Sequence, residues 1–552
     1  MRAAPSSQLP AASVRILASC VLCVLCVFGS ASAQTPEYDI VIRNGRVFDG
    51  GGNPFIRADV AIKDGRVARI GLVTGHGTKE IDASGRYVSP GWIDMMDQSA
   101  TILSRNGNAE NKVMMGVTTA LSGEGGTPVP PTGIAAWYAS LEKSGISLNF
   151  GDYYSATDAR EAVLGMQDRA PNPAELDRMK AMVDTAMRAG VFGITTALIY
   201  PPSSYHRTEE LIELAKVASK YGGFYASHIR GEGKELVQSV GEAIRIGEEG
   251  GVPVEIYHLK AAYQPGWGRL MGEAGALVDA ARARGVDVAA DLYPYTAGGT
   301  GLEATIPSWA FAGGYDSLRA RLTDPATRER LKKDVETGTP GWWNIIEAAG
   351  GWGGVVMVNA QNPDNAKWQN KSIDAIAKEM GKDPRDVAWD FVLQAKGRVT
   401  AIYHMMSEQD IRTALNFSWT SIGSDAGAAL QPGKVDGLGL PHPRSYGTFP
   451  RVIAKYVRED KAITLENAIR KMSGWPATRM RLAERGYLRE GFWADVVIFD
   501  YDTIKDVSTY ENPVAFPAGI DYVLVNGVIV VDHGKHTGAR PGKVLYGPGK
   551  TD

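Results

Sequence analysis

The sequence predicts an α/β fold, a (β/α)8 TIM-like barrel combined with a small β-sandwich that both ends of the chain build together. Three observations lead to this prediction. Strand-like and helix-like segments alternate through the middle of the chain, two of these strands end in histidines at matched positions, and hairpin patterns occur near both ends. Alternation of this kind is typical of parallel strands joined by helices. With 552 residues, 44% of them apolar, the chain is long enough for a barrel and a second domain.

Residues 1–33 are predicted to be a signal peptide. Arg2 and Arg15 precede an uncharged apolar run, Ile16 to Phe28, and Ala31-Ser32-Ala33 follows in the small-x-small form of a cleavage site. The run is too short to cross a bilayer, which needs about twenty residues. We therefore expect an exported protein, periplasmic or secreted, with no stable membrane anchor after cleavage.

All three cysteines lie in this leader, at Cys20, Cys23 and Cys26. Leu17 to Cys20 resembles a lipoprotein box, but most of the apolar run follows Cys20, which disfavours lipidation. The mature chain then has no disulfide and no thiol ligand, so a metal would be held by His, Asp and Glu. Basic and acidic residues nearly cancel, at 59 and 62, without a basic block. Nothing in this balance argues for nucleic acid, and a small molecule is the expected partner.

The ends of the mature chain have hairpin patterns. Apolar and polar residues alternate around Asn44-Gly45, Asp64-Gly65 and Asn526-Gly527, pairs that favour tight two-residue turns. Residues 35–88 and 480–545 are therefore predicted to form the β-sandwich.

Residues 89–479 are predicted to form the barrel. Helical periodicity covers four segments between the strands: Pro173 to Ala189, Thr208 to Lys220, Lys234 to Glu249 and Leu270 to Arg284. The last two strands are too far apart for a single crossover. The intervening residues, about 303–398, are predicted to be an insertion that covers the barrel mouth as a lid.

Two histidines mark the predicted site. FYASHIR, starting at Phe224, and PVEIYHLK, ending at Lys260, are successive strands that end in His228 and His258. The carboxyl ends of barrel strands meet at one rim, where barrels place their chemistry. A single histidine at a strand end is more often an ordinary hydrogen-bonded residue, but the matched pair predicts a metal site.

Two carboxylates are candidates for the same rim. Asp425 closes the last strand in IGSDAG and is predicted as a metal ligand and catalytic carboxylate, although a turn-capping aspartate would look the same. Glu124, in SGEGG, ends the second strand between glycines that would let it approach a metal. A solvated loop glutamate is the alternative. Arg444 and Tyr293 follow barrel strands and are candidates to bind an anionic group and a polar substrate atom, although an arginine on a loop usually meets solvent or a surface carboxylate.

These motifs together resemble the D-aminoacylase, or N-acyl-D-amino-acid deacylase, branch of the amidohydrolase superfamily. The resemblance covers nearly the whole mature chain and includes the motifs PGWID, GVTT, SHIR, HLK, YPYTAG, GSDAG, HPRSYGTFPR and LREGFWADVVIFD. It implies a catalytic zinc on His228 and His258 and a general base at Asp425. It also implies that Arg444, Tyr293 and Lys260 receive the substrate's carboxylate and side chain.

The chain departs from this family in three motifs. Met96 and Gln98 stand where the family has His-x-His, which implies an empty second metal position and one zinc per chain. The family's shared cysteine ligand aligns with Gly125, and we predict that the adjacent Glu124 replaces it. A family serine aligns with Gly299, which leaves the substrate preference open.

The predicted activity is zinc-dependent hydrolysis of the amide bond of N-acyl amino acids, with the D configuration implied by the resemblance. Two alternatives remain. The same site could act on a D-specific dipeptide or a cell-wall peptide, or the loss of His-x-His could mark a non-catalytic periplasmic binding protein.

Overall fold

The computed structural model describes residues 36–395, 398–431, 433–434 and 439–550, so the predicted signal peptide lies outside the described residues. Strands from both ends of the chain form one nine-stranded sheet. The strands are Tyr38–Val47, Ile56–Lys63, Arg66–Gly71, Gly77–Asp82, Tyr87–Pro90, Val496–Phe499, Ile520–Val525, Val528–Asp532 and Lys535–His536. The two ends join where Tyr87–Pro90 pairs antiparallel with Val496–Phe499, with Val88 opposite Ile498. Val60, Val88 and Leu524 are fully buried in the core of this sheet.

Two of the three predicted turns are confirmed and one is wrong. Asp64-Gly65 and Asn526-Gly527 connect adjacent antiparallel strands as two-residue turns. Asn44-Gly45 instead forms a bulge inside the single strand Tyr38–Val47, with Asn44 at a φ of 61°. A left-handed Asn suits a bulge as well as a turn, and here its N–H donates to Asp59 at 2.9 Å.

Eight parallel strands form the barrel, the third of them in two pieces. They are Trp92–Asp97, Val117–Ser122, Asn149–Gly151 with Tyr154–Ser155, Gly193–Ala197, Phe224–His228, Val254–Ile256, Val288–Leu292 and Thr420–Ile422. The barrel closes between its first and last strands, where the Asp425 N–H donates to the Met96 carbonyl at 2.8 Å.

Helices surround the barrel. They are Ala100–Leu103, Glu110–Val113, Ile134–Ser144, Ala156–Leu164, Pro173–Ala189, Thr208–Ser219, Leu236–Gly250, Leu270–Ala283, Glu408–Asn416, Arg444–Arg451, the π-helix Val452–Glu459, Leu465–Met472 and Gly474–Arg479. The four predicted helices are confirmed, with small shifts at their ends. Pro173–Ala189 shows why helix bounds can be predicted from the sequence. Asn172 and Glu175 form a capping box at its start, and Gly190 ends it in a left-handed conformation.

The chain between the last two barrel strands forms a unit with its own core, which includes the buried Trp389 and Tyr403. Its antiparallel sheet consists of Ala297–Gly301, Val355–Asn359, Lys371–Ser372 and Thr400–His404. Its helices are Tyr315–Thr323, Pro325–Thr337, Ile345–Ala348, Ile373–Met380 and Pro384–Gln394, and its 3-10 helices are Leu302–Thr305, Ser308–Phe311, Trp352–Gly354 and Pro363–Trp368. Shorter 3-10 turns elsewhere are Pro131–Gly133, Ser203–Tyr205 and Gln264–Gly266. Within the described ranges, no helix is both long and apolar enough to cross a bilayer.

Candidate metal centre and active site

Glu124, His228 and His258 meet at the carboxyl end of the barrel. His228 is the last residue of its strand, whereas Glu124 and His258 each lie two residues beyond theirs. One ligand atom of each side chain lies within 4.8 Å of the other two. The His228 Nδ1 is 2.7 Å from the Glu124 Oε2, which is 3.8 Å from the His258 Nε2. In the part of the chain that the structure describes, this is the one cluster of three His, Cys, Asp or Glu side chains with such spacing.

Glu232 lies behind the two imidazoles and was missed by the sequence analysis. Its carboxylate is 3.0 Å from the His258 Nδ1, 2.5 Å from the Lys260 Nζ and 3.6 Å from the His228 Nε2. Carboxylates commonly orient metal-binding histidines in this way. Glycines flank Glu232 on both sides, the same signal that singled out Glu124.

The charges of this cluster perturb one another. Burial and the Lys260 ammonium lower the pKa of His258, but the Glu232 and Glu124 carboxylates outweigh them and raise it to about 9. Burial raises the pKa of Glu124, yet the two imidazoles outweigh burial and hold that pKa well below its usual range. Burial likewise raises the pKa of Glu232, but Lys260 and the imidazoles lower it more. Both carboxylates are therefore ionised at neutral pH.

The donor set fits zinc. Two imidazole nitrogens and one carboxylate oxygen are a ligand combination of catalytic zinc, in which three protein ligands leave a position open. The ionised state of Glu124 meets the requirement that metal ligands be deprotonated, and a bound metal would displace the proton held by His258.

Asp425 does not join the three-residue cluster, although the sequence predicts it as a metal ligand as well as the catalytic carboxylate. Its Oδ2 lies 2.9 Å from the Arg444 Nη1, and its Oδ1 accepts from the Gln98 amide at 3.3 Å. The cation and the amide thus fix the orientation of this carboxylate. Asp425 also has a left-handed backbone, with a φ of 49°.

His258 has the same unusual conformation, with a φ of 37°. The buried Asp291 supports it, because its Oδ1 accepts the His258 N–H at 2.8 Å. Non-glycine residues held in this region cost free energy and concentrate at functional sites. Asp425 and His258, the two residues of the site with this backbone conformation, are both predicted site residues.

Arg444, Tyr293 and Lys260 lie together, as a carboxylate-binding group would require. The Arg444 guanidinium lies 4.7 Å from the centre of the Tyr293 ring, and the Lys260 ammonium lies 5.6 Å from it. The Arg444 Nη2 donates to the Gly299 carbonyl at 3.3 Å. His442 positions the backbone, accepting the Arg444 N–H at 3.0 Å and facing the Ala297 carbonyl at 2.9 Å.

A buried ion cluster lies beneath Asp425 and was also missed. The Lys112 ammonium is 2.6 Å from Asp94 and 2.8 Å from Asp97, and all three side chains are fully buried. It also donates to the Ser424 hydroxyl and the Ala426 carbonyl, at 2.8 and 2.7 Å, on both sides of Asp425. Lys112 directly precedes the apolar run VMMGV, and this position was the sequence feature that could have indicated its burial.

One cavity of about 380 Å³ brings these groups together. Its lining includes Gln98, Glu124, Tyr200, His228, Glu232, His258, Lys260, Tyr293, Gly299, Trp343, Arg398, Asp425 and Arg444. Its size falls in the range of small-molecule sites. All seven site residues predicted from the sequence line it.

Comparisons with known proteins agree with this geometry. A model described as "Amidohydrolase family" matches residues 434–531. The D-aminoacylase of Alcaligenes xylosoxydans xylosoxydans is 34% identical over 93% of this chain and 99% of its own.

Solved structures match as well. One is an N-acyl-D-glutamate deacylase from Bordetella bronchiseptica complexed with zinc and a phosphonate that mimics the tetrahedral intermediate. It has a TM-score of 0.77 and 29% identity, over 92% of this chain and 99% of that chain. Another is a D-aminoacylase whose binuclear centre is described by one-metal activation and second-metal attenuation. It has a TM-score of 0.76 and 32% identity, over 92% and 100% of the two chains. Sequence identity above 30% over almost the full length of both chains shows that this protein belongs to the D-aminoacylase family of metal-dependent amidohydrolases.

Proposed function

We propose that the protein hydrolyses the amide bond of N-acyl-D-amino acids with one zinc ion. The observation that carries this proposal is the single cavity that is lined by both the Glu124–His228–His258 donor set and the Asp425–Arg444 pair. The similar proteins are named as a D-aminoacylase and an N-acyl-D-glutamate deacylase, which supports N-acyl-D-amino acids as the substrate class.

Glu124, His228 and His258 would hold the metal. Zinc there would supply Lewis acidity toward the scissile carbonyl and lower the pKa of a water molecule. A second metal would need ligands that this chain lacks at the positions of Met96 and Gln98. The Met96 thioether is a poor ligand for zinc and is fully buried, and the Gln98 amide already donates to Asp425.

Asp425 is the proton carrier. Its carboxylate faces the cavity, and Gln98 and Arg444 fix its orientation. It takes a proton from the attacking water and delivers it to the leaving nitrogen, which departs as a neutral amine. The left-handed backbone at Asp425 is held by the hydrogen bond from its N–H to the Met96 carbonyl, which fixes where this side chain leaves the chain.

Arg444, Tyr293 and Lys260 orient the substrate. Two cations close to one tyrosine ring make a site for the carboxylate on the leaving-group side. Arg444 suits a planar carboxylate because its guanidinium presents several donors in a fixed fork. Binding at this end places the amide carbonyl toward Glu124 and the histidines.

The test combines zinc content with turnover of N-acetyl-D-amino acids and of matched dipeptides. We expect one zinc per chain in the wild type, loss of zinc in His228→Ala, and turnover of the acylated D substrates. Asp425→Asn should retain the zinc and lose at least a hundredfold in kcat, since it keeps the shape and loses the base. A zinc-free wild type, or one that binds the substrate without turning it over, would overturn the proposal in favour of a binding protein. Preference for dipeptides would replace the acyl substrate by a peptide.

Export also belongs to this proposal. Expression of the full chain with its leader in a Gram-negative host should give a periplasmic protein that begins at Gln34, as read by mass spectrometry of the mature N-terminus. An unprocessed protein in the cytoplasm would contradict it.

A further inference from the structure

A second chamber adjoins the catalytic cavity. Its volume is about 400 Å³, similar to that of the catalytic cavity itself. Five residues line both spaces and form the boundary between them: Glu124, Gly125, Ile199, Tyr200 and Arg398. The chamber therefore begins at the metal-binding carboxylate and extends away from the barrel axis under the insertion.

The wall of this chamber has an apolar and aromatic part, and a polar part that includes Ser155, Thr157, Asp158, Ser203 and Ser308. The apolar and aromatic side chains include Met166, Ile199, Ile306, Phe311, Tyr315 and Trp342. The insertion supplies four of these six. Ile306 and Phe311 come from its first two 3-10 helices and the link between them, Tyr315 begins the helix Tyr315–Thr323, and Trp342 follows the helix Pro325–Thr337. The Trp342 Nε1 donates to the Ala304 carbonyl at 3.3 Å, which holds the indole against the opposite wall.

The charged groups at the boundary are neutralised locally. The Arg398 Nε donates to Glu303 at 2.8 Å, and its guanidinium also reaches the Thr300 hydroxyl at 2.8 Å. The Tyr200 hydroxyl bonds the same Thr300 at 2.6 Å. Arg398, paired with Glu303, lies at the boundary between the two spaces.

The placement of the substrate's carboxylate decides which end of the substrate enters the chamber. Arg444, Tyr293 and Lys260 line the catalytic cavity but are absent from the lining of the chamber. In an N-acyl amino acid the carboxylate and the acyl group lie on opposite sides of the amide. With the carboxylate on Arg444 and the carbonyl beside Glu124, the acyl group points across Tyr200 into the chamber.

We propose that this chamber is an acyl-group subsite and that the preferred substrates carry an apolar acyl chain of several carbons instead of acetyl. The inference rests on the proposed function, because it uses the orientation of the substrate in that reaction. An acetyl methyl is about as large as one water molecule, which occupies about 30 Å³ in the liquid. Acetyl would leave most of the chamber hydrated, whereas a longer chain would bury apolar surface against the aromatic wall.

The test is a chain-length series on one amino acid: N-acetyl-, N-butanoyl-, N-hexanoyl- and N-octanoyl-D-leucine. Each added methylene buried in the chamber should raise kcat/KM by about two- to fourfold, the fold-change expected for transfer of a methylene from water. Equal kcat/KM for acetyl and octanoyl substrates, or a decline with length, would overturn the inference.

A binding measurement separates failure of the chamber from failure of the reaction. Calorimetric titration of zinc-loaded Asp425→Asn with the same four compounds reports affinity without turnover. We expect octanoyl to bind at least tenfold more tightly than acetyl. If the wild type shows no turnover but affinity still rises with acyl-chain length, the proposed function alone is refuted. If affinity does not depend on chain length, the assignment of the chamber as an acyl subsite is refuted.

A variant pair localises the effect. Ala304→Phe places a ring in the chamber wall and should lower the octanoyl-to-acetyl ratio of kcat/KM at least tenfold. Ala312→Phe is the matched control, because Ala312 is also half-buried in the insertion and is not among the chamber's lining residues. An unchanged ratio in Ala304→Phe would contradict the assignment.

Asp158 also lines the chamber, and its carboxylate could receive the ammonium group of a dipeptide. Preference for alanyl-D-leucine over all four acyl substrates would therefore overturn the apolar assignment.

Discussion

The Arg444 Nη1 lies 2.9 Å from the Asp425 Oδ2, and both side chains are nearly buried, at 7% and 12% exposure. The residue proposed to bind the substrate's carboxylate thus also holds the proposed general base. Arg444 can serve both because a guanidinium presents several N–H groups in one plane. Binding and proton transfer are coupled through this single side chain.

Replacement of Arg444 should therefore damage both kinetic parameters. We expect Arg444→Met to raise KM and lower kcat, with a combined loss of about a hundredfold or more in kcat/KM, since Asp425 and the substrate lose their common cation. Arg444→Lys should recover only part of the loss, because an ammonium cannot reproduce the planar fork. Steady-state kinetics on an N-acyl-D-amino acid measure both, and a change confined to KM would show that Arg444 does not support Asp425.

Glu232 should control metal affinity without being a ligand. Its carboxylate lies 3.0 Å from the His258 Nδ1, so Glu232→Gln removes the charge that orients this imidazole and increases its basicity. We expect zinc affinity to fall about 10- to 100-fold, as measured by competition with a chromophoric chelator. Glu235→Gln, on the same loop but partly exposed, is the control and should bind zinc like the wild type.

Excess zinc should leave the rate of this protein unchanged, in contrast to the second-metal attenuation described for the related D-aminoacylase structure. The reason is that Met96 and Gln98 offer no imidazole at the first strand. The double variant Met96→His/Gln98→His should bind a second zinc by elemental analysis and lose activity when zinc is in excess. The single variant Gln98→His serves as its control. A lower rate of the wild type in excess zinc would point to a second metal site built from other residues.

Lys112 should be essential to stability. Its ammonium neutralises the buried carboxylates of Asp94 and Asp97, and removal of one partner leaves uncompensated buried charge. We expect Lys112→Met to lower the free energy of unfolding by about 3–5 kcal/mol, measured by urea denaturation at neutral pH. The loss should shrink as the pH falls, because burial raises the pKa of Asp97 and protonation of this carboxyl group removes unpaired charge. A pH-independent loss would indicate that packing dominates.

Lys471 should give the stability a dependence on alkaline pH. It is fully buried, and its Nζ donates only to uncharged oxygens of Phe417 and Thr420. Burial, with a smaller contribution from Arg470, lowers its pKa to about 7. Since the unfolded lysine titrates near 10.4, the unfolded chain binds more protons between these two values, and the folded state gains stability as the pH rises through this window.

The comparison of wild type with Lys471→Met isolates this effect. The stability of the wild type relative to the variant should increase with pH from about 7 to 10, by at most about 1.4 kcal/mol per pH unit. Urea denaturation at pH 7 and pH 9 provides the measurement. A difference that stays constant between the two would show that Lys471 keeps its ordinary pKa in the folded protein.

Local pattern was sufficient to predict the barrel and its histidines. His228 ends one strand and His258 lies two residues past the end of the next, and a parallel sheet brings successive strand ends to one rim. The helix Pro173–Ala189 was predictable to the residue because its cap, its proline and its final glycine are local signals. The bulge at Asn44 was not, since a left-handed Asn-Gly pair suits both a bulge and a turn, and the partner strand decides between them.

The residues that the sequence analysis missed act through partners distant in sequence. Lys112 reaches Ser424 and Ala426 across the closure of the barrel, more than three hundred residues away. Glu232 acquires its role only when His258 and Lys260 fold back onto it. The pairing of Asp425 with Arg444 likewise depends on how the helix Arg444–Arg451 returns to the barrel mouth. Spacing along the chain carries no information about such contacts.

The pairing of Tyr87–Pro90 with Val496–Phe499 has a consequence for biosynthesis. A ribosome releases the amino-terminal strands first, so the edge at Tyr87–Pro90 has no partner until almost the entire polypeptide has emerged. Contacts between such remote segments form slowly, because the loop between them must close first. During that interval the open edge is a surface that a chaperone could shield from aggregation.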